Sequence, residues 1–448
     1  MKKSRTCLLL IILFTGTVSF IISRYNSKKQ KKAATEYILL SRQGAMAQNE
    51  EWIATRKKAF DLLKAVRINP EDSKSNLALA ALYIQEARIT GNYAYYDQAA
   101  LKHVTEVLQQ EPSNFEALTL KAVLSLSQHH FSDGLNIALQ AKVINPYNAF
   151  LYGILIDGSV ETGSYDSAVA YADKMVSIRP DMRSYSRISY LREIYGDYPG
   201  AIDAMKLAID AGLPGDETTE WSRIQLGKLY EHIGDLKQAT DQYTIALNER
   251  PGYAYAVAGL ARIAMAEKNY EKAIALFLQA DLYVMDNSLK EELAGVYALA
   301  GKKEEADKLY KEVIATLVQD AGNADKDETL GHYADQELAY AYLNVKNYDK
   351  ALHHALQEYN RRPNNIDVNE TLAWVYYSKG DIDKALSYLK AALKTNSKNP
   401  RLLCRAGLIY YKANDKIMAK SFLEEGLKNN PVLSELLRSA AGAALTAL

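Results

Sequence analysis

The histidines of this 448-residue chain are its best candidates for metal or acid–base chemistry: His103, His129, His130, His232, His332, His353 and His354. Two adjacent pairs stand out, His129-His130 and His353-His354. Neighbouring residues on a helix point about 100° apart, so such a pair rarely shares one ion. No carboxylate motif at metal-binding spacing accompanies either pair, and the sequence predicts no metal site. It contains no Gly-rich phosphate loop of the Walker or dinucleotide type and no G-x-S-x-G elbow. No catalytic residue and no cofactor are expected. Its 2 cysteines can form neither a disulfide framework nor a four-Cys zinc site. The balance of 54 basic against 54 acidic residues argues against a nucleic-acid partner, which asks for a basic excess. The acidic pairs Glu304-Glu305 and Glu424-Glu425 read as solvated helix faces.

The elements that would position any site follow a regular beat. Pro112, Pro146 and Pro180 are 34 residues apart, and Pro363 and Pro431 are twice that. A fixed period in the 20–50 range marks a repeat array. A small residue recurs as Ala168, Ala201, Ala239, Ala273, Ala306, Ala351, Ala385 and Ala419. It is preceded by turns such as Gly163-Ser164-Tyr165, Gly234-Asp235-Leu236, Lys346-Asn347-Tyr348 and Asn414-Asp415-Lys416. Gly or Asn suits a left-handed helix end, and Asp or Asn suits the next N-cap. Small residues sit where two helices cross closely, and Tyr, Leu or Phe fills the space beside them. Tyr165, Tyr198, Tyr243, Tyr270, Tyr310 and Tyr348 fall at such packing positions.

This pattern resembles the tetratricopeptide repeat (TPR), from about residue 73 to 433. The resemblance implies an all-α solenoid of helix-turn-helix units, a right-handed superhelix. Full units begin at 115, 149, 182, 220, 254, 287, 332, 366 and 400. A longer unit covers 73–114, with an insertion around residues 92–96, and residues 33–72 form a helical region that includes a degenerate repeat. The polar stretch 319–331 reads as a linker between arrays at 73–318 and 332–433. Leu436, Leu437, Ala440, Ala441 and Ala444 in 434–448 fall at helical spacing and suit a capping helix.

In TPR arrays the first helix of each unit lines the concave face. Carried over by position, that role falls to Phe150, Tyr190, Trp221, Tyr255, Tyr333, Tyr340, Trp374, Tyr377 and Tyr411, with Lys228, Arg262 and Arg401. Asp157, Glu193, Glu231, Glu291, Asp367 and Glu370 join them. Aromatic side chains among scattered charges suit anchoring of a protein or peptide; the competing reading is that several pack between helices. The resemblance does not extend to the TPR subclass that clamps chaperone C-termini, because no unit has its Lys and Asn at positions 5 and 9.

The chain start is different in kind. Residues 1–32 hold eight bases and no acid, leaving 46 bases against 54 acids elsewhere. Between the basic clusters, residues 7–22 are uncharged and apolar. Sixteen residues at about 1.5 Å each approach the thickness of a bilayer, and flanking bases can snorkel. No small-residue cleavage site follows, since the run ends Val18-Ser19-Phe20-Ile21-Ile22. An uncleaved signal anchor is expected at 1–32, with a cleaved signal peptide as the alternative. The larger downstream basic cluster argues for a cytoplasmic body; the resemblance of the start to export signals argues for an extracytoplasmic one, which is the reading taken.

Together these features predict a membrane-tethered, non-enzymatic scaffold that binds a protein or peptide in its concave groove. The alternatives are an accessory subunit holding a separate catalytic partner, and a self-assembling structural component. The sequence does not set the oligomeric state.

Overall fold

In a computed structural model, residues 37–324, 331–428 and 433–448 are described. The chain divides into two compact units, residues 1–41 and 42–448. Every described helix lies in the second. The expected anchor at residues 7–22 falls outside the described residues, among which no helix is long and apolar enough to cross a membrane.

The second unit is an all-α helical repeat solenoid. A short 3-10 turn, Gly44–Ala47, and the helix Glu50–Ile68 precede ten helix hairpins. These are Ser73–Thr90 with Tyr93–Gln110, Phe115–Ser127 with Phe131–Ile144, Ala149–Glu161 with Tyr165–Ile178, and Met182–Ile194 with Tyr198–Asp210. Then come Glu217–His232 with Leu236–Glu249, Ala254–Ala266 with Tyr270–Asp281, and Asn287–Leu299 with Lys303–Ala324. The last three are Asp335–Asn344 with Tyr348–Arg361, Ile366–Lys379 with Ile382–Ala392, and Pro400–Lys412 with Lys416–Leu427. A final helix, Glu435–Thr446, buries Leu437, Ala441 and Ala444 against Cys404, Leu408 and Leu423.

Local chemistry explains the hairpins. The residue ending the first helix is left-handed, for example Gly163 (φ +80°), Gly196 and Gly234, with His129, Lys268, Lys346 and Asn414 as non-glycine versions. The following residue caps the second helix: Asp197, Asp235, Asn269, Asn347, Asp381 and Asp415 each accept a backbone N–H with the side chain. The recurring alanines from Ala168 to Ala419 are at most 1% exposed, which lets the paired helices approach closely. Tyr243 is fully buried between Gly227 and Gly259, where a Cβ on either glycine would strike its ring. Tyr165 and Tyr198 are buried too; Tyr270, Tyr310 and Tyr348 are half-buried.

Two boundaries differ from the expectation. The unit at 73–114 has no insertion; its extra length lies in two helices of 18 residues each, where Ala149–Glu161 has 13. The helix Lys303–Ala324 continues past 318, so part of the expected linker is helical.

The array winds back on itself. Turns inside early hairpins meet loops between hairpins about six repeats later. The Met285 N–H donates to the Thr90 carbonyl at 2.9 Å, and the Tyr333 N–H to the Gln128 carbonyl at 3.1 Å. The Ile366 N–H donates to the Tyr165 hydroxyl oxygen at 2.9 Å, and Asn365 Nδ2 to the Glu161 carbonyl at 3.1 Å. Arg362 joins Glu161 and Glu358 in one buried ion-paired group, and Arg250 pairs with Glu51 at 2.6 Å. Gly91 and Gly163 lie on this seam, and a Cβ on either would collide with the backbone carbonyl of Met285 or Asn364. Two successive windings are thus in contact along their edges.

Candidate partner-binding interior

The candidate interior face is the row of first helices, which are joined as a ladder in which a carboxylate on one pairs with a cation on the next. Asp157 takes a forked pair from Arg187, Nη2–Oδ2 2.6 Å and Nε–Oδ1 2.9 Å. Gly153 leaves room for that guanidinium, since a Cβ there would sit 2.9 Å from Arg187 Cζ. Glu193 meets His232 at 3.0 Å. Glu231 accepts from the Tyr243 hydroxyl and from Arg262 Nε at 3.2 Å. Arg262 also reaches Glu292 at 3.5 Å, and Glu370 holds Arg405 at 3.0 Å and Arg401 at 3.5 Å. Such partly buried pairs mainly fix the lining in place, because desolvation offsets most of their attraction.

Some charges are left over. Desolvation, with Arg187 nearby, lowers the Arg183 pKa, and desolvation, with Arg262 nearby, lowers that of Lys228. Each cation lies over an aromatic ring instead: Arg183 over Phe150 at 5.1 Å and Lys228 over Trp221 at 5.8 Å. Desolvation, with Glu370 nearby, raises the Asp367 carboxyl. Desolvation, with Glu337, Glu292 and Asp286 nearby, pushes Glu291 up to about 7, and its buried Oε1 has no hydrogen-bond partner. Leftover cations stacked on aromatic rings offer contacts to carboxylates and apolar side chains at once.

All twelve expected lining residues keep some accessible surface, and none is fully buried. Trp221 and Tyr255 meet edge to face at 5.2 Å with Lys228 beside them. Tyr340 lies under Arg401 and Arg405 and bonds Thr371 at 3.0 Å. Tyr190 is 40% exposed, yet desolvation, with Glu161 and Asp367 nearby, raises its phenol well above the usual value. Four residues have a more structural setting. Trp374 and Tyr377 stack at 4.7 Å, and with Tyr411 they pack against the cluster covered by the last helix. Tyr333 belongs to the seam, where it stacks on His130 at 4.0 Å under Arg361 at 4.4 Å.

Sequence reasoning passed over Arg183, Arg187, Arg405 and Tyr93. Tyr93 comes from the earlier winding and lies near Asp286 and Glu217; no signal within its own repeat marks it. The arginines recur on first helices, and that recurrence is the signal that could have found them.

The tetratricopeptide repeat family profile matches residues 224–284 and 370–416, and these segments are TPR repeats. No curated protein matches the chain by sequence. Among solved structures, a human IFIT1 dimer with PPP-AAAA is similar at 16% identity and TM-score 0.47, covering 78% of this chain and 80% of that one. The APC/C hetero-tetramer Cut9-Hcn1 is similar at 13% identity and TM-score 0.37, covering 88% and 94%. TTC0263, a thermophilic TPR protein of Thermus thermophilus, is similar at 21% identity and TM-score 0.36, covering 41% and 98%.

Proposed function

We propose that this protein is a non-enzymatic TPR scaffold that holds a segment of another polypeptide against its interior face. The observation that carries the reading is the set of accessible aromatic rings with cations beside them that form no ion pair among the described residues, Phe150 with Arg183 and Trp221 with Lys228. An extended peptide could lay apolar side chains on those rings and carboxylates on the cations. Buried aromatic anchors and arginines dominate the energetics of such contacts. A long array on a membrane tether would concentrate its partner at the membrane, and the tether at 1–32 and an extracytoplasmic body are part of the proposal.

Proximity labelling in the native host names the partner and the compartment together. With the partner purified, Tyr190→Ala combined with Trp221→Ala should weaken binding at least about tenfold, as loss of interface anchors does, with helical content unchanged. Unchanged affinity would refute interior docking. Deleting residues 1–32 should release the protein to the soluble fraction, whereas a mature N-terminus near residue 24 would reveal cleavage. A partner that is a single catalytic protein would turn the scaffold into an accessory subunit.

A further inference from the structure

The seam brings His129 to two further side chains able to ligate a metal, His332 and Glu337, which lie about 200 residues later in the chain. His129 ends the helix Phe115–Ser127 in the left-handed conformation, φ +62°. Five of its equivalents, Gly163, Gly196, Gly234, Gly301 and Gly380, are glycines, while Lys268, Lys346 and Asn414 share its left-handed turn. A bulky side chain there carries a conformational cost of about 1 kcal/mol, and the turn aims the imidazole across to the other winding. His332 lies just before the helix Asp335–Asn344, and Glu337 lies in its first turn.

The ligating atoms of His129, His332 and Glu337 all lie within 4.8 Å of one another. His129 Nδ1 is 3.4 Å and His332 Nε2 is 3.1 Å from Glu337 Oε1. A tetrahedral zinc ion with bonds near 2.1 Å separates its ligand atoms by about 3.4 Å. Both sides of the cluster are anchored: His130 Nε2 lies 3.0 Å from the Gly331 carbonyl, its ring stacks on Tyr333, and the Tyr333 N–H bonds Gln128. His129 Nδ1 also lies 3.3 Å from the Tyr333 carbonyl, a contact that an ion on Nδ1 would replace. A protonated His332 paired with Glu337 would still leave the other carboxylate oxygen, Oε2, buried without a hydrogen-bond partner among the described residues. Asp97 and Asp320 add negative potential at His332.

We propose that His129, His332 and Glu337 bind one first-row divalent cation, with zinc favoured by two imidazoles and one carboxylate, and that the ion staples the two windings together. Nitrogen donors argue against magnesium and calcium. The fourth position is left to water, since all three side chains are partly exposed. Each histidine would bind through the lone pair of a neutral imidazole nitrogen, with no redox step. The inference does not depend on what the interior binds.

The test uses the tag-free full chain in detergent, stripped with chelator and titrated calorimetrically with zinc. One ion per chain is expected. His129→Ala, His332→Ala and Glu337→Gln should each weaken binding about tenfold or more, while His353→Ala, an exposed residue in the other pair, should not. Glu337→Gln keeps the shape of the side chain, so its loss of binding is not a folding defect if circular dichroism is unchanged. Cobalt should give visible bands of a tetrahedral site, and zinc should slow hydrogen exchange at 128–130 and 331–334. Absence of saturable zinc binding, or binding undiminished in the seam variants, would overturn the proposal.

Discussion

Asp97 illustrates how a single residue can set the pH response of the array. It is 3% exposed and accepts a hydrogen bond from Ser127 Oγ at 2.6 Å. Desolvation pushes its carboxyl from 3.8 to about 7. Because the folded value lies above the unfolded one, the unfolded chain ionises first as pH rises, and stability falls between about pH 4 and 7. Asp97→Asn keeps a hydrogen-bonding group and removes the charge. In metal-free buffer it should stabilise the protein by on the order of 2 kcal/mol at pH 8, with the advantage fading by about pH 4. Parallel melting curves across that range would contradict the assignment. The residue scale also shows where sequence reasoning ran short. His129 and His130 lie in the turn between Phe115–Ser127 and Phe131–Ile144, and the residues gathered around His129, His332 and Glu337, come from the other winding and not from the pair. Nothing within the repeat that carries His129 contains that information.

Among elements, the helix hairpins were legible because each repeat carries its own instructions. Helices begin at Phe115, Ala149, Met182, Ala254, Asn287, Ile366 and Pro400, where the beat puts them. The exceptions have local causes. The helix Glu217–His232 begins three residues before 220 because Gly215-Asp216 turns the chain there, with Glu220 accepting the Gly215 N–H at 3.0 Å. The helix Asp335–Asn344 begins later than 332 because Gly331 and Tyr333 are bonded to His130 and Gln128 of the other winding. A pair of glycines separates the two kinds of constraint on a hairpin turn. Gly163 and Gly380 share a φ near +80°, but only Gly163 abuts the other winding; nothing lies within 4 Å of a Cβ at Gly380. Gly380→Ala should cost about 1 kcal/mol from the backbone alone. Gly163→Ala should cost clearly more, since the Asn364 carbonyl belongs to packed backbone. Denaturation of the two variants under identical conditions decides it, and equal costs would show that the seam approach is not tight.

For the whole molecule, the contact between windings is the feature that no single repeat encodes. It emerges from small rotations summed over about six units, so the seam could not be read from the 34-residue period. Arg362 is its most exacting contact: it is 6% exposed, bridges Glu161 and Glu358, and lies over Phe131 at 4.4 Å. Breaking a buried pair leaves its partners unpaired, which costs about 3–5 kcal/mol. Arg362→Ala should therefore lower stability by that order and lengthen the particle in small-angle scattering as the windings part. Arg179→Ala, at an exposed pair with Asp181, should change neither.

The proposal that the interior grips a polypeptide is tested most directly by a photo-crosslinking residue placed at Tyr190, on the interior wall, or at Val143, which is 86% exposed on a second helix. In the native host, position 190 should yield a discrete protein adduct and position 143 should not. Adducts from 143 alone, or an adduct at 190 that is RNA instead of protein, would contradict the account.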